Sequence, residues 1–143
     1  MEVLEGIKPE RVMYYFEEIT KIPRCSKHEE KISNFLVDVG KRLGLEVIQD
    51  KALNVIIKKP GTKGYENSPT VILQGHMDMV CEKVQGSNHD FSMDPIKFEV
   101  EGDYIVAKET TLGADDGIAI AMILAILESK DIPHPPIEAL FTT

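Results

Sequence analysis

At 143 residues the chain has room for one domain of ordinary size or for part of a larger one, and 43% apolar residues supply a core beneath a surface that is 28% charged. A net charge of −8 and a sequence pI near 5.0 argue against nucleic acid or an anionic membrane as the main partner. The apolar run Gly117 to Leu127 is too short to span a bilayer, and Met1 to Glu5 has neither the basic nor the apolar region of a signal peptide, so the expected location is cytoplasmic.

Val12, Tyr15, Phe16 and Ile19 mark one face of a first helix, with Pro9 near its first turn. Ile22-Pro23-Arg24-Cys25 breaks that pattern. Ser26-Lys27-His28-Glu29 then has the form of a capping box, with Ser26 as N-cap and Glu29 as its partner, and Ile32, Phe35, Leu36, Val39 and Leu43 stripe a second helix that Gly44 stops. Leu45 to Gln49 and Leu53 to Lys58 read as strands joined at Asp50-Lys51. A polar loop, Pro60 to Pro69, precedes a buried strand over Thr70 to Gln74 that delivers His76. Ile96 to Glu101 and Tyr104 to Lys108 form a hairpin around Gly102-Asp103. Ala114 to Ser129 is a helix that is apolar almost all round, and Ile137 to Thr142 is a last strand. Helices followed by strand–helix alternation predict an α/β fold, a mixed sheet layered with helices.

Two short motifs carry the chemistry. Gly75-His76-Met77-Asp78 follows an apolar strand, and Gly113-Ala114-Asp115-Asp116-Gly117 opens the apolar helix. Neutral imidazole and carboxylate are ligands for zinc and similar ions. Residues i and i+2 of an extended chain share a face, so Asp78 is placed to reach the back of the His76 ring, accept its second N–H and fix its tautomer. Asp115 has two oxygens, enough to bridge two cations roughly 3.5–4 Å apart. Each motif alone has a plain structural alternative: H-x-D arises by chance, and acids at a helix start are commonly caps. His28, His89 and His134 lie in polar contexts and read as solvated. Cys25 and Cys81 lack metal or redox spacing; reduced thiols are the expectation, and the sequence leaves a disulfide open.

Three ordered stretches resemble the M20 metallopeptidases. Val71 to Val80 resembles their first metal motif and Thr110 to Ala119 their second. Ile22 to Glu30, together with Cys81-Glu82-Lys83, is similar to one branch, the aminoacyl-histidine (Xaa-His) dipeptidases, and Gly117 fits that branch where many relatives have Lys. The resemblance covers essentially the whole chain. It implies the N-terminal portion, 1–143, of a catalytic domain with a zinc-peptidase fold, whose lid or dimerisation domain and remaining catalytic part lie elsewhere. It implies His76 as ligand of one zinc, Asp78 as the carboxylate that orients it, Asp115 as the bridge between two zinc ions, with cobalt or manganese as alternatives, and no ligand role for Asp116. It further implies a small-peptide substrate, a homo-oligomer, and a glutamate pair following the strand that ends at Thr143, one acting as general base. An amidohydrolase or deacylase, and a non-catalytic interaction module, are the rival readings.

Overall fold

The computed structural model describes residues 2–143. Helices α1 (Glu10–Thr20) and α2 (Glu30–Arg42) come first. They are followed by β1 (Glu46–Gln49), β2 (Val55–Lys59), β3 (Val71–His76), a hairpin of β4 (Phe98–Glu101) and β5 (Tyr104–Ala107), α3 (Ala114–Glu128) and β6 (Ile137–Thr142). The main sheet has the order β1-β2-β6-β3, antiparallel at β1/β2 and β2/β6 and parallel at β6/β3. The α/β class and the mixed sheet are as the sequence predicts; the hairpin forms a separate two-stranded sheet.

The period of two in the strands decides the layering. Val55, Ile57, Ile137, Ala139 and Phe141 point to one face and join Ile19, Leu36, Val39, Ile120 and Leu124 in a single core beneath the three helices. Helix α2 lies so close to the sheet that a Cβ on Gly40 would stand 2.5 Å from Val47 Cγ2. Its end is a Schellman motif: Leu45 N–H donates to Gly40 O and Gly44 N–H to Lys41 O, with Gly44 at φ +71°. The opposite face of the sheet carries Ile48 and Ile72, which are 43% and 61% exposed, beside Ile56 and Leu140.

Three expectations are corrected. The capping box does not form. Helix α2 begins at Glu30 with Glu29 as N-cap and no side-chain cap; Glu29 Oε1 accepts the Lys27 N–H at 2.8 Å, and the Ser26 hydroxyl turns away to the Asp78 carboxylate. Cys25 and Cys81 are joined as a disulfide, their Cα atoms 5.6 Å apart, because a parallel bridge between Cys25 and Met79 lays the two segments side by side. His134 is buried at 6% exposure, since its loop is tied to Thr62 through Thr62 N–H to His134 O and His134 N–H to Thr62 Oγ1, both 2.9 Å.

The disulfide closes a loop across a sequence separation of 56. Cys25→Ser is expected to lower unfolding free energy by about 2–4 kcal/mol. Urea denaturation of the oxidised protein and the variant measures it, and equal midpoints would contradict it.

Candidate functional site

The site lies beyond the carboxyl end of β3, where open α/β sheets present their functional groups. His76 is the last residue of β3 and pairs in register with Thr142 of β6. Its Nδ1 donates to Asp78 Oδ1 at 2.9 Å, with Asp78 O also at 3.1 Å. Its Nε2 faces Asp115 Oδ1 at 3.0 Å. The structure therefore brings together all three residues that the sequence singled out, His76, Asp78 and Asp115. Asp78 is the sheltered one at 19% side-chain exposure, and Asp115 stands almost fully open at 96%.

Asp115 does not sit in a regular first turn. It has φ −88°, ψ 107°, Asp116 is also non-helical, and their shared peptide bond is cis; regular helix begins at Gly117. This kink points Asp115 out to His76. It also turns Asp116 back, so that Asp116 Oδ2 accepts the His76 backbone N–H at 3.3 Å. The resemblance gives Asp116 no ligand role; in the fold it ties the second motif to the first. Gly75 makes room for it, because a Cβ there would stand 2.9 Å from that oxygen.

Further ties surround the pair. The Ser26 hydroxyl donates to Asp78 Oδ2, so Ser26, Asp78 and His76 form an ordered chain of hydrogen bonds. Thr111 Oγ1 donates to Val80 O at 2.7 Å and Thr111 N–H to Glu82 O at 2.9 Å, stitching the approach to the second motif onto the exit from the first. Arg24, at 2% exposure, reaches Gly113 O with Nη2 at 2.6 Å and Met77 O with Nη1 at 3.2 Å. Burial pulls its pKa down to about 10 against the opposing pull of Asp78, so it stays charged at neutral pH. The sequence reading gives Arg24 no role and gives Ser26 only the helix-capping role corrected above. The signal for Arg24 is the break in helical pattern at Ile22 to Cys25, which has no helix to serve.

Electrostatics set the proton inventory. Burial alone would lower the His76 pKa, but hydrogen bonds to Asp115 and Asp78 outweigh it and raise the value. Burial would raise Asp78, yet the bonds from Ser26 and His76 and the nearby imidazole hold it below the ordinary carboxylate range. With Nδ1–H committed to Asp78, a neutral His76 would turn its Nε2 lone pair on the Asp115 carboxylate. The 3.0 Å approach therefore needs a positive charge between or on the two groups, a proton or a cation.

Comparisons with known proteins show what the chain is similar to. The cytosol non-specific dipeptidase of Escherichia coli (strain K12) is 40% identical over 142 residues, which are 99% of this chain and 29% of that protein. The crystal structure of the aminoacylhistidine dipeptidase from Vibrio alginolyticus matches with TM-score 0.94 and 44% identity over 99% of this chain and 29% of its own. The chain is homologous to these dipeptidases. The aminopeptidase PepT of Bacillus cereus matches with TM-score 0.73 and 30% identity, covering 96% of this chain and 37% of that structure. No protein-family model matches the chain. The chain thus spans less than a third of the length of either dipeptidase homologue.

A pH dependence follows for the metal-free chain. His76, with its pKa raised in the fold, stabilises fully below its unfolded value of about 6.5, and that contribution is lost as pH rises through the folded value. Asp78, with its pKa lowered, contributes above about 4 and loses its contribution on acidification. In the presence of EDTA, the Tm difference between the native sequence and His76→Gln is expected to be largest between about pH 4 and 6.5 and to shrink as the pH rises through the raised His76 value. A difference constant with pH would refute the assignment.

Proposed function

We propose that the whole protein is a dinuclear zinc dipeptidase of the M20 type, and that this chain contributes His76 and Asp115 as ligands and Asp78 as the carboxylate that orients His76. The observation carrying this reading is the confrontation of His76 Nε2 with Asp115 Oδ1 at 3.0 Å, behind a ring whose Nδ1 is fixed by Asp78. Two donors on one tetrahedral zinc stand about 3.4 Å apart, so a cation fits between them with a small outward shift of the exposed carboxylate. The other Asp115 oxygen is free to face a second ion.

Bound zinc supplies polarisation of a peptide carbonyl and acidification of a water. The residues here hold that chemistry in place. Asp78 keeps Nδ1 protonated and Nε2 available, Ser26 keeps Asp78 from rotating, and Asp116 fixes the backbone of His76. Among the described residues no group of three or more His, Cys, Asp or Glu is placed to hold a metal ion. We infer that the remaining ligands and the general-base glutamate belong to the part of the homologues' length that this chain does not span; β6 runs parallel to β3 with Thr142 beside His76.

Dipeptidase homology supports short peptides as substrates, with Xaa-His dipeptides the class that one homologue's name indicates. The name of the Escherichia coli homologue supports a cytosolic location, and no described helix is long and apolar enough to cross a membrane. The open sheet face with Ile48 and Ile72 supports assembly, including a homo-oligomer.

Two outcomes test the reading. Isothermal titration with Zn²⁺ is expected to show weak binding that His76→Ala abolishes; an isotherm unchanged by that substitution would exclude His76. The 143-residue chain is expected to hydrolyse no dipeptide, and turnover by the pure chain would overturn the division of the site.

A further inference from the structure

The interior of the site holds a cation without a carboxylate partner. Arg24 is 2% exposed, forms no ion pair within 4 Å among the described residues, and has an unpartnered Nε. What satisfies its guanidinium is backbone: Gly113 O at 2.6 Å, Met77 O at 3.2 Å and Asp78 O at 3.4 Å. Those carbonyls belong to the two motifs, one beside Asp115 and the others in the turn that carries Asp78. The fold is also shaped around this group. A Cβ on Gly113 would meet Arg24 Nη2 at 2.6 Å, and a Cβ on Gly117 would meet it at 2.8 Å. A buried charge hydrogen-bonded by carbonyls alone, with Asp78 acting on it only from beyond ion-pair distance, is costly, and an apolar side chain of similar length would fill the space at lower cost. Packing therefore does not account for a guanidinium here.

We propose that Arg24 is a positioning residue, whose guanidinium spans the Met77 and Gly113 carbonyls and thereby sets how closely His76 approaches Asp115. A planar fork with several N–H donors in fixed directions can hold two backbone segments at a defined separation; a lysine ammonium is a point charge on a flexible stem and cannot. The glycines at 113 and 117 are the second half of the device, because they let the helix start close onto the fork. The consequence for cation affinity rests on the metal reading above, whereas the geometric claim does not.

Arg24→Lys keeps the charge and removes the fork, and Gly117→Ala keeps Arg24 and displaces it. In NMR spectra of the metal-free 143-residue chain, contacts between the His76 ring protons and the Asp115 Cβ protons are expected in the native sequence and lost in both variants, while far-UV circular dichroism is unchanged. Cobalt(II) titration is expected to show about tenfold weaker binding in both variants, with an altered visible absorption spectrum at saturation. Gly117→Ala in an Arg24→Met background should have little further effect, since the 2.8 Å contact with the guanidinium is gone and only the looser contacts with Ile19 at 3.3 Å and Phe16 at 3.4 Å remain; additive losses would indicate general loosening and overturn the proposal. Contacts and cobalt affinity unchanged in both variants would also overturn it, as would absence of the contacts in the native chain. If Arg24→Met prevents folding, the two single variants that retain a cation at position 24 decide. Failure of the native chain to bind cobalt, with contacts that still depend on Arg24, would refute the metal reading and leave the positioning role established.

Discussion

The separation of two backbone segments by one buried guanidinium is the constraint on which the rest of this site depends. His76 and Asp78 arrive on a strand, and Asp115 arrives on the kinked start of a helix. Nothing in strand or helix geometry dictates how far apart those two ends should stand. Arg24 bridges them through Gly113 O and Met77 O, and Asp116 bridges them again through the His76 N–H. Three glycines follow from this closeness, Gly75 opposite Asp116 and Gly113 and Gly117 against Arg24. They are steric requirements of a tightly drawn junction, and each would be unremarkable if read as a loop residue.

A hierarchy of orientation is built on that junction. The Ser26 hydroxyl holds Asp78, Asp78 holds His76, and His76 presents Nε2 to Asp115. The segment that supplies Arg24 and Ser26 is itself fastened by the Cys25–Met79 bridge and the Cys25–Cys81 disulfide. Rigid support of this kind matters because a carboxylate as exposed as Asp115 has no packing of its own to hold it. The net charge is −8, and within that acidic chain Asp78 fixes the tautomer and direction of the His76 ring. The chain is 40% and 44% identical to two dipeptidases across nearly its whole length, which is 29% of theirs.

The two faces of the sheet tell a related story. One face buries Ile57, Ala139 and Phe141 under the helices, and the other leaves Ile72 more than half exposed. The β6 strand lies between an antiparallel and a parallel neighbour, which places Thr142 beside His76. Helices on one face only are enough to form a core, and they leave an apolar surface on the other that suits a covering partner.

Much of this was legible in the residues. Periods of two and 3.6 locate the strands and helices, Gly44 stops α2 because a left-handed residue ends a helix there, and the placement of His76, Asp78 and Asp115 at element ends makes them candidates that the resemblance of their motifs singles out. These features are local, and local sequence encodes them. The readings that failed or were missed all depend on partners distant in sequence. Ser26 lost its capping role to Asp78, the two cysteines met because a bridge aligned their segments, and His134 was buried by Thr62. Arg24 became the centre of the site only when the chain brought Met77 and Gly113 to its two ends. The sequence by itself determined which groups are available and which elements carry them. Only the tertiary structure decided which of them touch, because a hydroxyl, a thiol or a guanidinium has no preferred partner until folding removes water and leaves it one.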